Sequence, residues 1–168
     1  MKLGDYSLAE SEEAMRAKVG NLPIDFASAR AVSTLYRAAN AARTKLTNSV
    51  LREHDITWTG WVVLWVVWIW DGLETRRASE AAGISKATLT GVVNTLVTRG
   101  WLDRARGTED KRMVNLSLTP AGLELVQTIF EKFNAVEAQL VSQISPERLE
   151  EMTAGLRQIV ETVEATRD

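Results

Sequence analysis

The sequence predicts a mainly α-helical protein with one small β-hairpin. Two short helical segments are separated by a turn that contains glycine, and an alternating apolar pattern follows directly after them. Long amphipathic segments occupy both ends of the chain. Together these observations indicate a winged helix-turn-helix with N- and C-terminal dimerisation helices.

The two short helices are marked by their end signals. The first follows Thr75, which we interpret as its N-cap, and stops at Gly83. The second follows the N-cap Ser85 and ends at Gly100. Its apolar residues recur at helical spacing: Leu89, Val92, Val93 and Leu96. This stripe predicts the buried face of the second helix.

The opposite face of the second helix is small and polar. No Asp or Glu occurs between Gly83 and Trp101, although solvated helix faces commonly carry Glu. Such a face can enter a DNA major groove about 12 Å wide. The candidate DNA-binding residues of this recognition helix are Ser85, Lys86, Ala87, Thr88, Thr90, Gly91, Asn94 and Thr95.

The alternating pattern after Gly100 predicts a hairpin, the wing. Residues 114–118 bury every second side chain, and residues 101–106 form the partner strand across a turn at 107–109. A basic hairpin beside a recognition helix is suited to phosphates and the adjoining minor groove. The candidate wing residues are Arg104, Arg106, Asp110, Lys111 and Arg112.

Composition argues against an enzyme. The chain has no Cys, which excludes thiolate nucleophiles and Cys-zinc sites, and His54 is its only histidine. The neighbours of His54 in the chain, Glu53 and Asp55, do not by adjacency form a positioned catalytic pair. We therefore expect no catalytic residues, no metal and no cofactor.

Charge is unevenly distributed. Residues 75–112 carry eight Lys and Arg against four Asp and Glu, a net charge of +4, while the remainder carries twelve against eighteen, a net charge of −6. The two agree with the overall net charge of −2. This pattern favours one local contact with double-stranded DNA and disfavours binding elsewhere.

The flanking segments predict dimerisation helices. Residues 1–22 form an N-terminal arm or a short extra helix that ends at Gly20, and Pro23 opens a long helix. Pro120 and Pro146 begin two further amphipathic helices. We expect dimerisation helices over 23–54 and 120–168, a DNA-binding lobe over 55–119, and one intertwined domain overall. Isolated helices of this kind need a partner, for which a second copy is suited.

Residues 61–70 form an apolar run of ten. A membrane span needs about 20 residues, so we interpret a buried core helix that is capped by Thr57 and runs to Asp71. No secretion signal is evident at the N-terminus, which predicts a cytoplasmic protein with no membrane partner.

Tryptophans of this helix recur on one face and allow two interpretations. They form core and interface, as large aromatic residues commonly do. Alternatively they line a cavity for an aromatic or amphipathic small-molecule effector. The candidate ligand-binding residues are Tyr36, Arg43, His54, Trp58, Trp61 and Trp65.

The wing carries a specific motif, Asp-x-Arg, five residues, then Leu-Thr, here Asp110, Arg112, Leu118 and Thr119, followed by Pro-Ala-Gly. With the segment 85–101 it resembles the multiple-antibiotic-resistance regulator (MarR) family of bacterial transcription factors, over roughly residues 25–165. The resemblance implies a homodimer that binds an inverted-repeat operator and, often, a small ligand that changes DNA affinity. It also implies that Arg112 enters or borders the minor groove and that Asp110 holds its guanidinium.

One departure from the family concerns Gly91, where members commonly carry Arg. Either the helix approaches the bases closely there or the position is neutral. Specificity would then fall on Thr90 and Asn94, with a thymine methyl contact from Ala87. We expect a ligand-relieved repressor; the alternative is a dimeric protein-interaction module whose winged lobe no longer binds DNA.

Overall fold

The structure, a computed structural model, describes residues 6–106 and 114–166; of Arg106 it describes only the backbone. The chain divides into two compact units, residues 1–48 and 49–168. The first unit contains α1 (Leu8–Val19) and almost all of α2 (Phe26–Ser49). Helix α1 has Gly20 as its C-cap.

Helix α2 begins later than predicted. Asp25 Oδ1 accepts hydrogen bonds from the backbone N–H groups of Ala27 and Ser28, at 2.9 and 3.1 Å. This side-chain cap fixes the helix start at Phe26, so the prediction that Pro23 opens the helix is wrong. The hydrogen bond from the Ser28 hydroxyl lowers the pKa of Asp25, as do its backbone bonds, which keeps the capping carboxylate ionised.

The second unit contains a 3₁₀ helix (Leu51–His54), five α-helices and three strands among the described residues. In chain order these are α3 (Trp58–Ile69), β1 (Leu73–Glu74), α4 (Thr75–Ala81), α5 (Lys86–Thr98), β2 (Leu102–Arg106), β3 (Val114–Leu118), α6 (Pro120–Val141) and α7 (Pro146–Ala165).

Helix α3 is the buried helix that the apolar run predicts. Thr57 caps it by accepting a hydrogen bond from the N–H of Gly60, at 3.0 Å. The helix ends at Ile69, two residues before the predicted Asp71, which adopts a left-handed conformation with φ 48°. Helix α3 packs against α4, α5, α6 and β3. Among the described residues we find no helix with the length and hydropathy that crossing a bilayer requires.

The sheet is antiparallel, with strand order β1, β3, β2. In the predicted hairpin Leu102 pairs with Leu118 and Arg104 with Leu116. Strand β1 was not predicted, because two residues carry too little alternation to be recognised in a sequence; its Leu73 pairs with Leu116 from the other side. Leu116 is therefore the centre of the sheet, and it is fully buried.

The hairpin is joined tightly to α6. Thr119 caps the helix as predicted, accepting a hydrogen bond from the N–H of Gly122 at 2.9 Å. A Cβ added at Gly122 would lie 2.0 Å from the carbonyl oxygen of Trp101, so no residue other than glycine fits without a shift. The carbonyl of Trp101 also accepts the N–H of Thr119, at 3.1 Å. These contacts fix the base of the wing on the first turn of α6.

Two long helices leave their apolar residues uncovered. In α2 only Leu46 is buried, and in α7 no residue is. The exposed apolar side chains of α7 recur at helical spacing: Met152, Leu156, Ile159, Val160 and Val163. The apolar side chains on the predicted dimerisation face of α7 are thus exposed among the described residues.

Candidate nucleic-acid interface

Helices α4 and α5 form the predicted helix-turn-helix. Gly83 has φ 63° and follows the end of α4, where its N–H bonds the carbonyl of Glu80 at 3.1 Å. The prediction that Thr75 is the N-cap of α4 is wrong. Thr75 is the first helical residue, and the cap position is taken by Glu74, which belongs to strand β1 and makes no side-chain cap.

Ser85 caps α5 as predicted, accepting a hydrogen bond from the N–H of Thr88 at 3.1 Å. The helix buries Leu89, Val93 and Leu96, which turns its opposite face to solvent. All eight predicted recognition residues are exposed on α5 and its N-cap: Ser85, Lys86, Ala87, Thr88, Thr90, Gly91, Asn94 and Thr95. The structure thus brings this predicted set together on one accessible surface.

The described part of the wing places one arginine side chain beside α5, and Asp103 on the same strand is also exposed. Arg104 lies exposed on β2, and the backbone of Arg106 ends that strand. The remaining predicted wing residues, Asp110, Lys111 and Arg112, lie outside the described residues, so their roles stay predictions.

A cleft of about 680 Å³ separates α5 from the hairpin. Its floor is apolar, and the cationic side chains at its border are Arg76, Lys86 and Arg104. Arg76 also pairs with Glu80 across one turn of α4, at 3.1 Å, and both partners are exposed. Arg76 was not predicted, because a basic residue on a short helix has the same sequence signature as an ordinary solvated one.

Arg99, at the C-terminal end of α5, was also missed. Its Nη1 donates to the carbonyl of Asp55, and its Nη2 donates to the carbonyl of His54 at 3.0 Å. The guanidinium stacks 3.9 Å above the ring of Trp101. Asp55 holds a left-handed conformation with φ 53°. One side chain thus ties the end of the recognition helix to the turn before α3.

The candidate ligand residues fall in both units. Tyr36 and Arg43 lie exposed on α2 in the first unit, where Arg43 donates to Asn40 at 3.1 Å. The other four belong to the second unit: His54, Trp58, Trp61 and Trp65.

The tryptophans of α3 differ in exposure. Trp61 is 3% exposed and packs on Phe133, with ring centroids 5.1 Å apart. Trp58 is half-buried against the same ring at 6.0 Å. Trp65 is 39% exposed. Trp61 is therefore a core residue, and Trp65 is the most exposed of the three predicted tryptophans.

His54 lies on the 3₁₀ helix with its Nε2 buried, and this atom has no hydrogen-bond partner within the described residues. The adjacent Glu53 accepts a hydrogen bond from Lys132 Nζ at 2.8 Å. That bond, and next the positive charge of Lys132, lower the pKa of Glu53. Glu53 thus forms an exposed ion pair with Lys132 of α6.

The sequence profile described as the MarR family matches residues 56–114, which include the buried helix, the helix-turn-helix and the first strand of the wing. The chain therefore contains a match to the MarR family over about a third of its length. It is a transcriptional regulator with a winged-helix, DNA-binding lobe, and the expectation that it is not an enzyme is confirmed, since its relatives are named as regulators.

The regulator is similar to a Bacillus subtilis HTH-type transcriptional regulator, YwaE, at 28% identity over 162 residues, 95% of each chain. Its fold is similar to that of a mutant of MarR from E. coli complexed with operator DNA, with a TM-score of 0.70 and 18% identity over 76% of this chain and 91% of that one. It is also similar to Bordetella bronchiseptica BpsR, whose DNA binding is regulated by 6-hydroxynicotinic acid, with a TM-score of 0.69 and 22% identity over the same shares.

Replacement of Arg99 is expected to loosen the recognition helix. Arg99→Ala removes two hydrogen bonds to backbone carbonyls and the stacking on Trp101, which we expect to lower the free energy of unfolding by about 1–3 kcal/mol. Arg99→Lys keeps the charge but loses the planar fork that spans two carbonyls, so it should recover less than half of that loss. Urea unfolding measures both.

Arg77→Ala is the matched control for these variants, because Arg77 is exposed and no side-chain hydrogen bond of it appears within the described residues. Its unfolding free energy should stay within about 0.5 kcal/mol of the wild type. Full stability in Arg99→Lys would show that charge alone, and not the two-carbonyl contact, holds the turn.

Proposed function

We propose that this regulator binds an inverted-repeat operator as a homodimer and represses transcription until a small aromatic ligand weakens the complex. The observation that carries the proposal is the exposed face of α5, which has no acidic residue and lies beside a cleft with three cationic side chains. Cationic side chains near phosphates supply affinity, and the polar helix face supplies base contacts.

The uncovered helices support the homodimer. The apolar side chains of α7 are exposed along the whole helix, from Met152 to Val163. Contiguous exposed apolar surface of this kind is characteristic of interaction sites. A second copy offers the same surface, and a two-fold dimer of this lobe would present two recognition helices to successive major grooves about 34 Å apart.

The ligand part rests on the tryptophans and on the comparison with BpsR. Trp65 offers an accessible indole at the surface of the second unit, and Trp58 is half-buried about two helical turns before it. In the second unit, His54 is the polar group that we propose for this site, and Tyr36 and Arg43 of the first unit stay separate candidates for ligand contact. A ligand can change DNA affinity only if it binds the DNA-competent and DNA-incompetent arrangements unequally.

Selection of binding sites from random or genomic DNA tests the proposal. We expect the wild-type protein to enrich an inverted repeat whose half-sites lie about one helical turn apart. The Arg112→Ala variant should bind that operator more weakly. Its salt slope, the slope of log affinity against log salt concentration, should be smaller in magnitude by about one for each protomer. Fluorescence anisotropy across a salt series measures both quantities.

Arg148→Ala is the control, because Arg148 is an exposed arginine on α7, outside the lobe that carries the wing. It should leave the salt slope unchanged. If the wild type enriches no sequence, and its binding does not fall with salt, the protein-interaction module becomes the better interpretation.

Disruption of the proposed dimer interface should abolish tight operator binding. Leu156→Asp places a charge on the exposed apolar face of α7, which a second copy would bury. We expect a monomer in light scattering and a loss of about 100-fold or more in operator affinity, because the second half-site no longer contributes. Gln158→Asp adds the same charge on the other side of α7 and should remain dimeric. A dimeric Leu156→Asp protein would contradict this assignment of the interface.

Removal of Trp65 should separate ligand response from DNA binding. With 6-hydroxynicotinic acid and related aromatic acids as probes, we expect the wild type to lose operator affinity by about 5–150-fold at saturation. Trp65→Ala should keep its operator affinity and lose this response. Trp70→Ala, which removes another exposed tryptophan, should keep both. A full response in Trp65→Ala, or none in the wild type, would contradict the ligand proposal.

A further inference from the structure

We propose that α5 selects A·T base pairs with short side chains, Thr90 contacting the thymine methyl group and Asn94 bonding the adenine edge. This inference rests on the proposed function. It adds the class of base pair that the recognition helix reads, and the residues that read it.

The threonine hydroxyls of α5 are used inside the helix. Thr90 Oγ1 donates to the carbonyl of Lys86 at 2.9 Å. Thr95 and Thr98 make the same bond to the carbonyl four residues earlier, at 3.2 and 2.9 Å. A threonine with this bond has used its only hydrogen-bond donor inside the helix, so it can offer a ligand its γ-methyl group or the lone pairs of its hydroxyl oxygen, but no O–H. In the major groove, the group that an apolar side chain recognises is the C5-methyl of thymine.

Asn94 supplies the complementary polar contact. Its side chain is exposed and makes no hydrogen bond to other groups in the part of the chain that the structure describes. Its amide therefore offers one donor and one acceptor, the pair that adenine N7 and N6–H require. Lys86 has donors only and borders the cleft with Arg76 and Arg104, so it is suited to phosphates.

Gly91 explains how such short side chains reach the bases. A Cβ added there meets no atom within 4 Å, and Gly91 does not have a positive φ. Neither packing nor backbone conformation among the described residues therefore requires glycine, which destabilises a helix interior relative to alanine. Of the two alternatives for Gly91, a neutral position or a close approach of the bases to the backbone, we propose the close approach, which a residue without Cβ permits. Thr90 and Asn94 lie on α5 beside Gly91, next to the space that a Cβ would occupy.

Thr90 is tested with two variants on the selected operator. Thr90→Ser keeps the hydroxyl and loses the methyl group, so affinity should fall about fourfold for each half-site. Thr90→Val keeps a γ-methyl group and loses the hydroxyl, and should bind within about twofold of the wild type. Deoxyuridine in place of the contacted thymine, which removes only the C5-methyl, should weaken the wild type equally and leave Thr90→Ser unaffected.

Asn94 and Gly91 are tested in the same assay. Asn94→Ala should lose roughly fivefold or more, and 7-deazaadenine at the contacted adenine should weaken the wild type but not this variant. Gly91→Ala should raise the melting temperature of the free protein while it lowers operator affinity. Thr90 and Asn94 are exposed, so thermal melting is expected to show their variants folded.

Three results would overturn the inference. A loss of affinity in Thr90→Val together with full affinity in Thr90→Ser would show that the hydroxyl, and not the methyl group, is read. If operators with deoxyuridine at each thymine in turn all bind with full affinity, the proposed contact with a thymine methyl group is contradicted. Unchanged operator affinity in Gly91→Ala would remove the close approach. In each case specific binding by the wild type still supports the regulator, whereas failure of the wild type to select any sequence removes both proposals.

Discussion

The lobe depends on the burial of α3. This helix lies against α4, α5, α6 and β3, and its apolar residues Val63, Leu64, Val66 and Val67 are almost completely buried. Each such side chain contributes roughly 1.5–3 kcal/mol when removed from water. Because Leu89, Val93 and Leu96 of α5 bury on the same core, their packing determines which face of α5 is left for DNA. Because core packing does not constrain the residues of that exposed face, we interpret their polar composition in terms of function.

The position of α5 is fixed at both ends by different interactions. At its N-terminus the Ser85 cap is local and determines where the helix begins. At its C-terminus Arg99 reaches across 44 and 45 residues of sequence to the carbonyls of Asp55 and His54. The hydrogen bonds satisfy carbonyls that the 3₁₀ helix leaves free, and they hold Asp55 in a conformation that most residues avoid. Arg99 therefore links the recognition helix directly to the turn before α3.

Much of the fold was predictable because its determinants are local. The caps Thr57, Ser85 and Thr119 each bond an N–H three residues ahead, so their signature lies within one turn of sequence. Strand β1 could not be predicted, because it exists through pairing with a strand more than 40 residues away. The assignment of Thr75 as an N-cap failed for the same reason, since that strand, and not a side-chain cap, precedes α4.

The candidate site was predictable in part. A helix wheel places the recognition residues on one exposed face, because that face follows from the positions of the buried ones. The hydrogen bonds of Arg99 and the cleft that Arg76 borders are tertiary, and no sequence pattern distinguishes these arginines from solvated ones. For the tryptophans, periodicity placed them on one stripe but could not separate the core residue Trp61 from the accessible Trp65. That difference depends on where Phe133 of α6 lies.

The internal rigidity of the lobe constrains how a ligand could act. The apolar stripe of α5 and the contacts of Arg99 resist any shift of the recognition helix within its own lobe. A dimer that reads two half-sites is sensitive to the distance between its lobes, because both helices must reach their grooves together. Helix α7 has no buried residue, so rearranging it costs less than repacking α3. A ligand in this regulator would therefore change DNA affinity by moving whole lobes, and not by reshaping the surface that reads the bases.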